Sequence, residues 1–123
     1  MQREGVERRK YNRFRVPLGV FLSFSPDDSR LGEVIDISMN GLAYRYLATG
    51  KEPNRARRLN IFLSENESYM NDVPFETVSD FRTWDIPFIP VTVRRSGVQF
   101  GGLTHSQMSR LQYLIENHTL RET

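Results

Sequence analysis

Glu33-Val34-Ile35-Asp36-Ile37-Ser38-Met39-Asn40-Gly41-Leu42-Ala43-Tyr44-Arg45-Tyr46 is two apolar strand patterns joined by a short polar turn. Glu33–Ser38 reads as a strand. Leu42, Tyr44 and Tyr46 alternate with Ala43, Arg45 and Leu47 in another. Asp36, Ser38 and Asn40 can bond nearby backbone, and Gly41 is suited to a positive φ. The connection is short enough to make the pair an antiparallel hairpin.

Upstream, Val16, Leu18, Val20, Leu22 and Phe24 alternate with Pro17, Gly19, Phe21 and Ser23, predicting one strand from Val16 to Phe24. Pro17 places its start at an edge or entry position. Ser25–Arg30 is a turn by composition. Downstream, Arg57–Leu63 reads as a strand with Leu59, Ile61 and Leu63 on one face. Ser64–Pro74 is polar and turn-rich and predicts a long, mobile loop. Phe75–Trp84 predicts another strand, and Ile86–Pro90 an apolar connector, read as a lid on the core in preference to an exposed partner patch. Pro90–Arg94 and Gly97–Phe100 predict a last hairpin about Arg95-Ser96. Thr104–Gln107 has capping-box spacing, and Met108, Leu111, Leu114, Ile115 and His118 recur at helical spacing. The predicted fold is mainly β: a small six- to seven-stranded antiparallel β-barrel with a C-terminal α-helix.

The 123 residues fit one domain, with 38% apolar and 26% charged residues, ordinary for a globular chain. The absence of cysteine excludes disulfides and thiolate metal sites. No apolar run reaches the roughly 18 residues of a membrane span, and the charged N-terminus lacks a signal-like apolar region. The expectation is a cytoplasmic protein without membrane partners. A net charge of +2 is too small for bulk DNA or RNA binding. The charge is nonetheless clustered. Arg3, Arg8, Arg9, Lys10, Arg13 and Arg15 face only Glu4 and Glu7 in the first fifteen residues. Residues 1–13 are therefore predicted to be a flexible basic arm, and 14–123 the folded domain.

Two spacings carry chemistry. Arg9 and Arg13 form R-x-x-x-R; Asp36, Ser38 and Gly41 form D-x-S-x-x-G. An arginine fork matches guanine O6 and N7, and also phosphate oxygens. A carboxylate suits guanine N1–H and N2–H, and a hydroxyl can donate or accept. The combination fits a guanine nucleotide, and this chemistry alone does not choose a cyclic dinucleotide over another guanine ligand. Catalysis finds little footing: His105 and His118 are thirteen residues apart, outside zinc-pair spacing, and no triad or phosphate-loop pattern occurs.

The two motifs, in this order, with the closing Ser96–Phe100 strand and the helix after it, resemble the PilZ domain family over roughly residues 8–118. The resemblance implies a receptor for cyclic di-GMP, with Arg8, Arg9, Arg13, Asp36, Ser38 and Gly41 as ligand-binding residues. Lys10, Asn40 and Arg95 are further candidates, although a solvated hairpin charge is the favoured reading of Arg95. It implies no enzyme activity and no cofactor beyond the ligand. A basic residue before the first motif arginine, here Arg8, implies two ligand molecules per domain, because added cations offset the repulsion of paired dianions. Ligand is expected to order the arm over the barrel and present a new surface to an unidentified effector protein. The alternatives are a PilZ-like interaction scaffold that binds no nucleotide, with Ile86–Pro90 as its surface, and a barrel stacking single-stranded nucleic acid on Tyr11, Phe14 and Trp84.

Overall fold

The computed structural model describes residues 11–17, 19–26, 30–50, 56–63 and 67–119. The described residues form seven strands and one helix: β1 (Phe14–Arg15), β2 (Val20–Ser25), β3 (Gly32–Ser38), β4 (Gly41–Ala48), β5 (Arg58–Leu63), β6 (Glu67–Asp85), β7 (Thr92–Phe100) and α1 (His105–His118). The antiparallel order β3-β2-β5-β6-β7-β4 closes through β3–β4 pairing, giving a six-stranded barrel with β1 added beside β3. Alternation along β2, β4 and β5 buries Leu22, Phe24, Leu42, Tyr44, Leu59 and Ile61 in one core.

Four sequence expectations change. Of the strand predicted over Val16–Phe24 only the part from Val20 is strand, as β2; β1 is a separate two-residue strand before the predicted start, and Gly19 between them has a φ of 110° that suits glycine alone. Both β1 and β2 pair with β3, β1 near its end and β2 near its start. The predicted loop Ser64–Pro74 is, from Glu67 onward, the first half of a 19-residue strand. Its turn-forming residues are absorbed inside the sheet. Asn71 and Asp72 bulge opposite Asn60, Asp72 takes φ 57°, and its N–H donates to Asn60 Oδ1 at 2.9 Å. Pro74 stands where β6 changes partner from β5 to β7, a place where a missing N–H costs little.

The hairpin predicted about Arg95-Ser96 is the middle of β7, which runs unbroken opposite β6. Ser96 is fully buried and donates to the Ser79 carbonyl at 3.1 Å. A Cβ on Gly97 would meet Ser79 Oγ at 2.7 Å, so the Ser-Gly pair serves close strand packing rather than a turn. The turn lies at Ile86–Val91, closed by Ile86 N–H donating to the Val91 carbonyl at 3.0 Å. The lid reading of Ile86–Pro90 fails with it: Phe88 is wholly exposed and Ile89 half exposed, because the β6–β7 ribbon carries this tip away from the core.

The helix forms as its cap predicts. Thr104 Oγ1 accepts from Gln107 N–H at 3.0 Å, and Gln107 Oε1 accepts from Thr104 N–H at 2.9 Å. Leu111 and Leu114 enter the core that holds Met70 and Val73, whereas Met108 of the predicted stripe stays exposed. Gln107 Nε2 donates to the Asn71 carbonyl at 2.9 Å, anchoring the first turn of α1 on the β6 bulge.

Candidate ligand-binding site

The register places side chains in rows across the outer face of β6, β7, β4 and β3. One row is Ser79, Gly97, Ala43 and Asp36. The next is Phe81, Arg95, Arg45 and Glu33. A register shift between Val34 and Asp36 is what brings Asp36 into the first row. Two residues apart on a regular strand, Val34 and Asp36 would share a face, and Val34 packs in the core. The bulge at Ile35 turns Asp36 outward and still returns Ile37 to the core.

The turn after it is held by Ser38. Its hydroxyl donates to Asn40 Oδ1 at 2.6 Å, and Asn40 N–H donates back to Ser38 Oγ at 3.2 Å. The Asn40 carbonyl accepts from Phe100 N–H at 2.8 Å, tying the turn to β7. Gly41 departs from the expectation of a positive φ; Gly19 and Gly50 are the described glycines with that conformation. A Cβ at Gly41 would overlap the Val98 carbonyl oxygen, so the glycine is required by the close pairing of β4 with β7.

These residues line an open concavity of about 350 Å³ that also includes Arg13 and Arg95. Arg13, Asp36, Ser38, Asn40, Gly41 and Arg95 are thus brought together, although 23 residues separate Arg13 from Asp36 and 59 separate Asp36 from Arg95. Arg8, Arg9 and Lys10 lie outside the described residues. Arg95 is no solvated hairpin charge. Its Nη2 donates to Asp36 Oδ2 at 3.4 Å, and it reaches the cavity because β7 is straight at this point. Neighbouring Arg94 points to the opposite face, where it pairs with Asp80 at 2.6 Å. Asp80 also accepts from the Tyr46 hydroxyl at 2.7 Å. Burial and that carboxylate push the Tyr46 hydroxyl up to about 12.

Sequence reasoning missed the far wall, made by Val78, Ser79 and Phe81 of β6, and Gln99 of β7 beside Gly41. The signal available was apolar residues in an otherwise polar strand, Val78 and Phe81 among Thr77, Ser79, Asp80 and Arg82. The bulges at Val78 and Thr83 concealed which face they occupy. The arrangement offers arginine donors, a carboxylate, a hydroxyl and an amide around a shallow floor, equipment for holding a polar anionic ligand. Among the described residues, no group of His, Cys, Asp and Glu could hold a metal ion, and no helix is long and apolar enough to cross a membrane.

A small closed antiparallel barrel with a capping C-terminal helix and an arginine-flanked polar concavity defines the class of fold. Residues 7–117 match the model of the PilZ domain, and the chain belongs to that family. Among solved structures it is similar to the PilZ domain of YcgR from Escherichia coli with c-di-GMP, at 17% identity and a TM-score of 0.65, covering 91% of this chain and 92% of that one. The larger YcgR chain from Escherichia coli in complex with c-di-GMP is 19% identical with a TM-score of 0.61, over 89% of this chain and 45% of that one. MrkH of K. pneumonia in its apo state is 16% identical with a TM-score of 0.60, over 96% of this chain and 51% of that one. At these identities the likeness concerns the fold. No curated protein sequence matches the chain.

Proposed function

We propose that this protein is a receptor for cyclic di-GMP. The observation that carries the reading is the concavity in which Arg13 and Arg95 flank the Asp36–Gly41 turn in a chain of the PilZ family. One guanine presents N1–H and N2–H to Asp36, with Ser38 and Asn40 at its edge. Arg13 forks onto O6 and N7 or onto phosphate oxygens. Arg8 and Arg9 approach from the arm, with Lys10 adding charge, so that ligand binding orders residues 1–13 over the barrel. Ordering those residues costs about 1–2 kcal/mol each in backbone entropy, which the charge-assisted contacts offset. Two ligand molecules bind per domain, Arg8 supplying the cation that holds the second. The new arm-and-barrel surface is then read by an effector protein. This is signalling by an order–disorder switch, without catalysis.

Isothermal titration calorimetry with cyclic di-GMP tests the reading, with GTP and cyclic di-AMP as controls. The expected result is micromolar or tighter binding of cyclic di-GMP alone, at about two per chain. Arg8→Ala lowers that ratio toward one. One ligand per wild-type chain would discard the role given to Arg8. Absence of binding would overturn the receptor reading and favour a protein-interaction scaffold, whose first candidate surface is the exposed tip Ile86–Pro90.

A further inference from the structure

β6 changes partner along its length. It pairs with β5 from Glu67 to Pro74 and with β7 from Phe75 to Asp85. The Phe75 N–H still donates to the Arg57 carbonyl at 3.4 Å on the β5 side. Beyond that bond, among the described residues, no strand pairs with the edge of β6 that faces away from β7. Every residue from Glu76 to Asp85 is exposed. The second half of β6 is thus an open strand edge, a row of backbone donors and acceptors that another strand can extend.

Edge strands are commonly blunted by bulges and by charges that oppose pairing. Bulges at Val78 and Thr83 bound a regular segment, Ser79–Arg82. The charges in that segment do not oppose pairing with a second copy; they select one register. Two identical antiparallel strands related by a two-fold axis set one residue opposite itself at the axis. Centred on Asp80, two carboxylates meet; centred on Arg82, two guanidinium groups meet; both arrangements are unfavourable. Centred on Phe81, each Asp80 stands opposite Arg82 of the partner subunit, and the two Phe81 side chains face each other. Asp80 is presented on the correct face for this, since Arg82 lies opposite Arg94 in the register and Arg94 pairs with Asp80. Val78 and Trp84, both more than half exposed, lie three residues to either side of the axis, so each falls beside the other's copy. Phe81 is also at the middle of the open stretch, so the favoured register uses nearly all of it.

We propose that the open edge of β6 is a self-association surface: two copies of this chain pair antiparallel along Thr77–Asp85 with the two-fold axis at Phe81. The occupant is a second copy because the sequence of charges is complementary to its own reverse. Edge pairing joins the two sheets without covering their outer faces. The concavity walled by Val78, Ser79 and Phe81 therefore abuts its own copy across the axis, and an assembled pair presents two such concavities on one continuous surface. The inference does not depend on the receptor reading, since every feature used belongs to the ligand-free chain.

Sedimentation equilibrium of the full ligand-free chain tests it, over concentrations up to millimolar. Wild type is expected to show a monomer–dimer equilibrium. Arg82→Asp turns both Asp80–Arg82 pairs into like-charge pairs and is expected to weaken the dimer by roughly tenfold or more. Its melt should match that of wild type, because Arg82 is exposed and its contact with Asp85 is a 3.7 Å surface pair. Register is read by cross-linking, which the absence of native cysteine makes clean. Phe81→Cys sets two Cβ atoms roughly 5 Å apart across the axis, near disulfide range, and is expected to form a covalent dimer on mild oxidation. Glu76→Cys, ten residues out of register with its copy and about 34 Å from it, is expected to stay monomeric under the same treatment. A wild-type chain that is monomeric at millimolar concentration overturns the proposal. So does a dimer indifferent to Arg82→Asp, or cross-linking through Glu76→Cys as readily as through Phe81→Cys.

Discussion

Gly41→Ala separates two roles for the motif glycine. If glycine is there to admit ligand, alanine spares the ligand-free fold and harms binding alone. The structure gives the opposite order. The added methyl overlaps the Val98 carbonyl oxygen and crowds the Val98 carbonyl carbon at 3.2 Å and Gln99 Cα at 3.3 Å. All three are backbone atoms of β7, in register with Gly41 through the Gly41↔Gln99 pair. A side chain could rotate away; a strand paired on both sides cannot. Overpacking of an interior costs typically 1–3 kcal/mol, and a backbone obstacle puts this case near the upper end, about 3 kcal/mol. Lost freedom of the unfolded chain returns only about 0.4–1 kcal/mol. The net, roughly 2–2.5 kcal/mol, lowers the melting temperature of a domain this size by on the order of 10 °C. Thermal and urea unfolding of the ligand-free protein measure it. A variant that melts within about 2 °C of wild type would refute the argument and return Gly41 to the ligand side of the ledger.

Arg13→Ala is expected to weaken cyclic di-GMP binding by roughly tenfold to a hundredfold in calorimetry, and to move ligand-free unfolding by less than about 1 kcal/mol, since Arg13 is exposed. Leu114→Ala, which empties a fully buried position between α1 and the barrel, is expected to cost about 2–5 kcal/mol in urea unfolding. Tyr46→Phe removes the 2.7 Å bond to Asp80 and should cost about 1–2 kcal/mol at neutral pH. The raised Tyr46 hydroxyl adds an alkaline signature. Its contribution is fully present below the ordinary tyrosine value of 10 and is lost as pH rises through about 12. Melting between pH 9 and pH 12 should therefore fall less steeply in Tyr46→Phe than in wild type; equal slopes would dismiss the assignment.

Some elements were legible because their information is local. The Leu42/Tyr44/Tyr46 alternation, the Leu59/Ile61 face of β5 and the Thr104–Gln107 capping box are each specified within a few residues, and each forms as predicted. The polar turn at Ser38–Gly41 is of the same kind, since the Ser38 and Asn40 side chains bond within their own hairpin. The misread loop at Ser64–Pro74 and the misread hairpin at Arg95-Ser96 share one cause. Asn71, Asp72, Pro74, Ser96 and Gly97 are turn formers by intrinsic preference, yet all sit inside long strands, where a bulge, a change of partner strand or a tight backbone approach uses the same properties. Only a neighbouring strand distinguishes those uses from a turn.

The candidate site shows the same division. By itself the sequence determined the strand alternations, the two motifs and the chemistry of the residues in them, because residue type and short-range spacing are enough for that; the barrel was implied by the family those motifs resemble. Which way those residues face was decided by tertiary structure. One extra residue at Ile35 reverses the phase of β3 and turns Asp36 from the core to the outer surface, and the unbroken course of β7 carries Arg95 to within 3.4 Å of it. Phase and register are properties of paired strands, set by hydrogen bonds between segments far apart in the chain, so no single stretch encodes them.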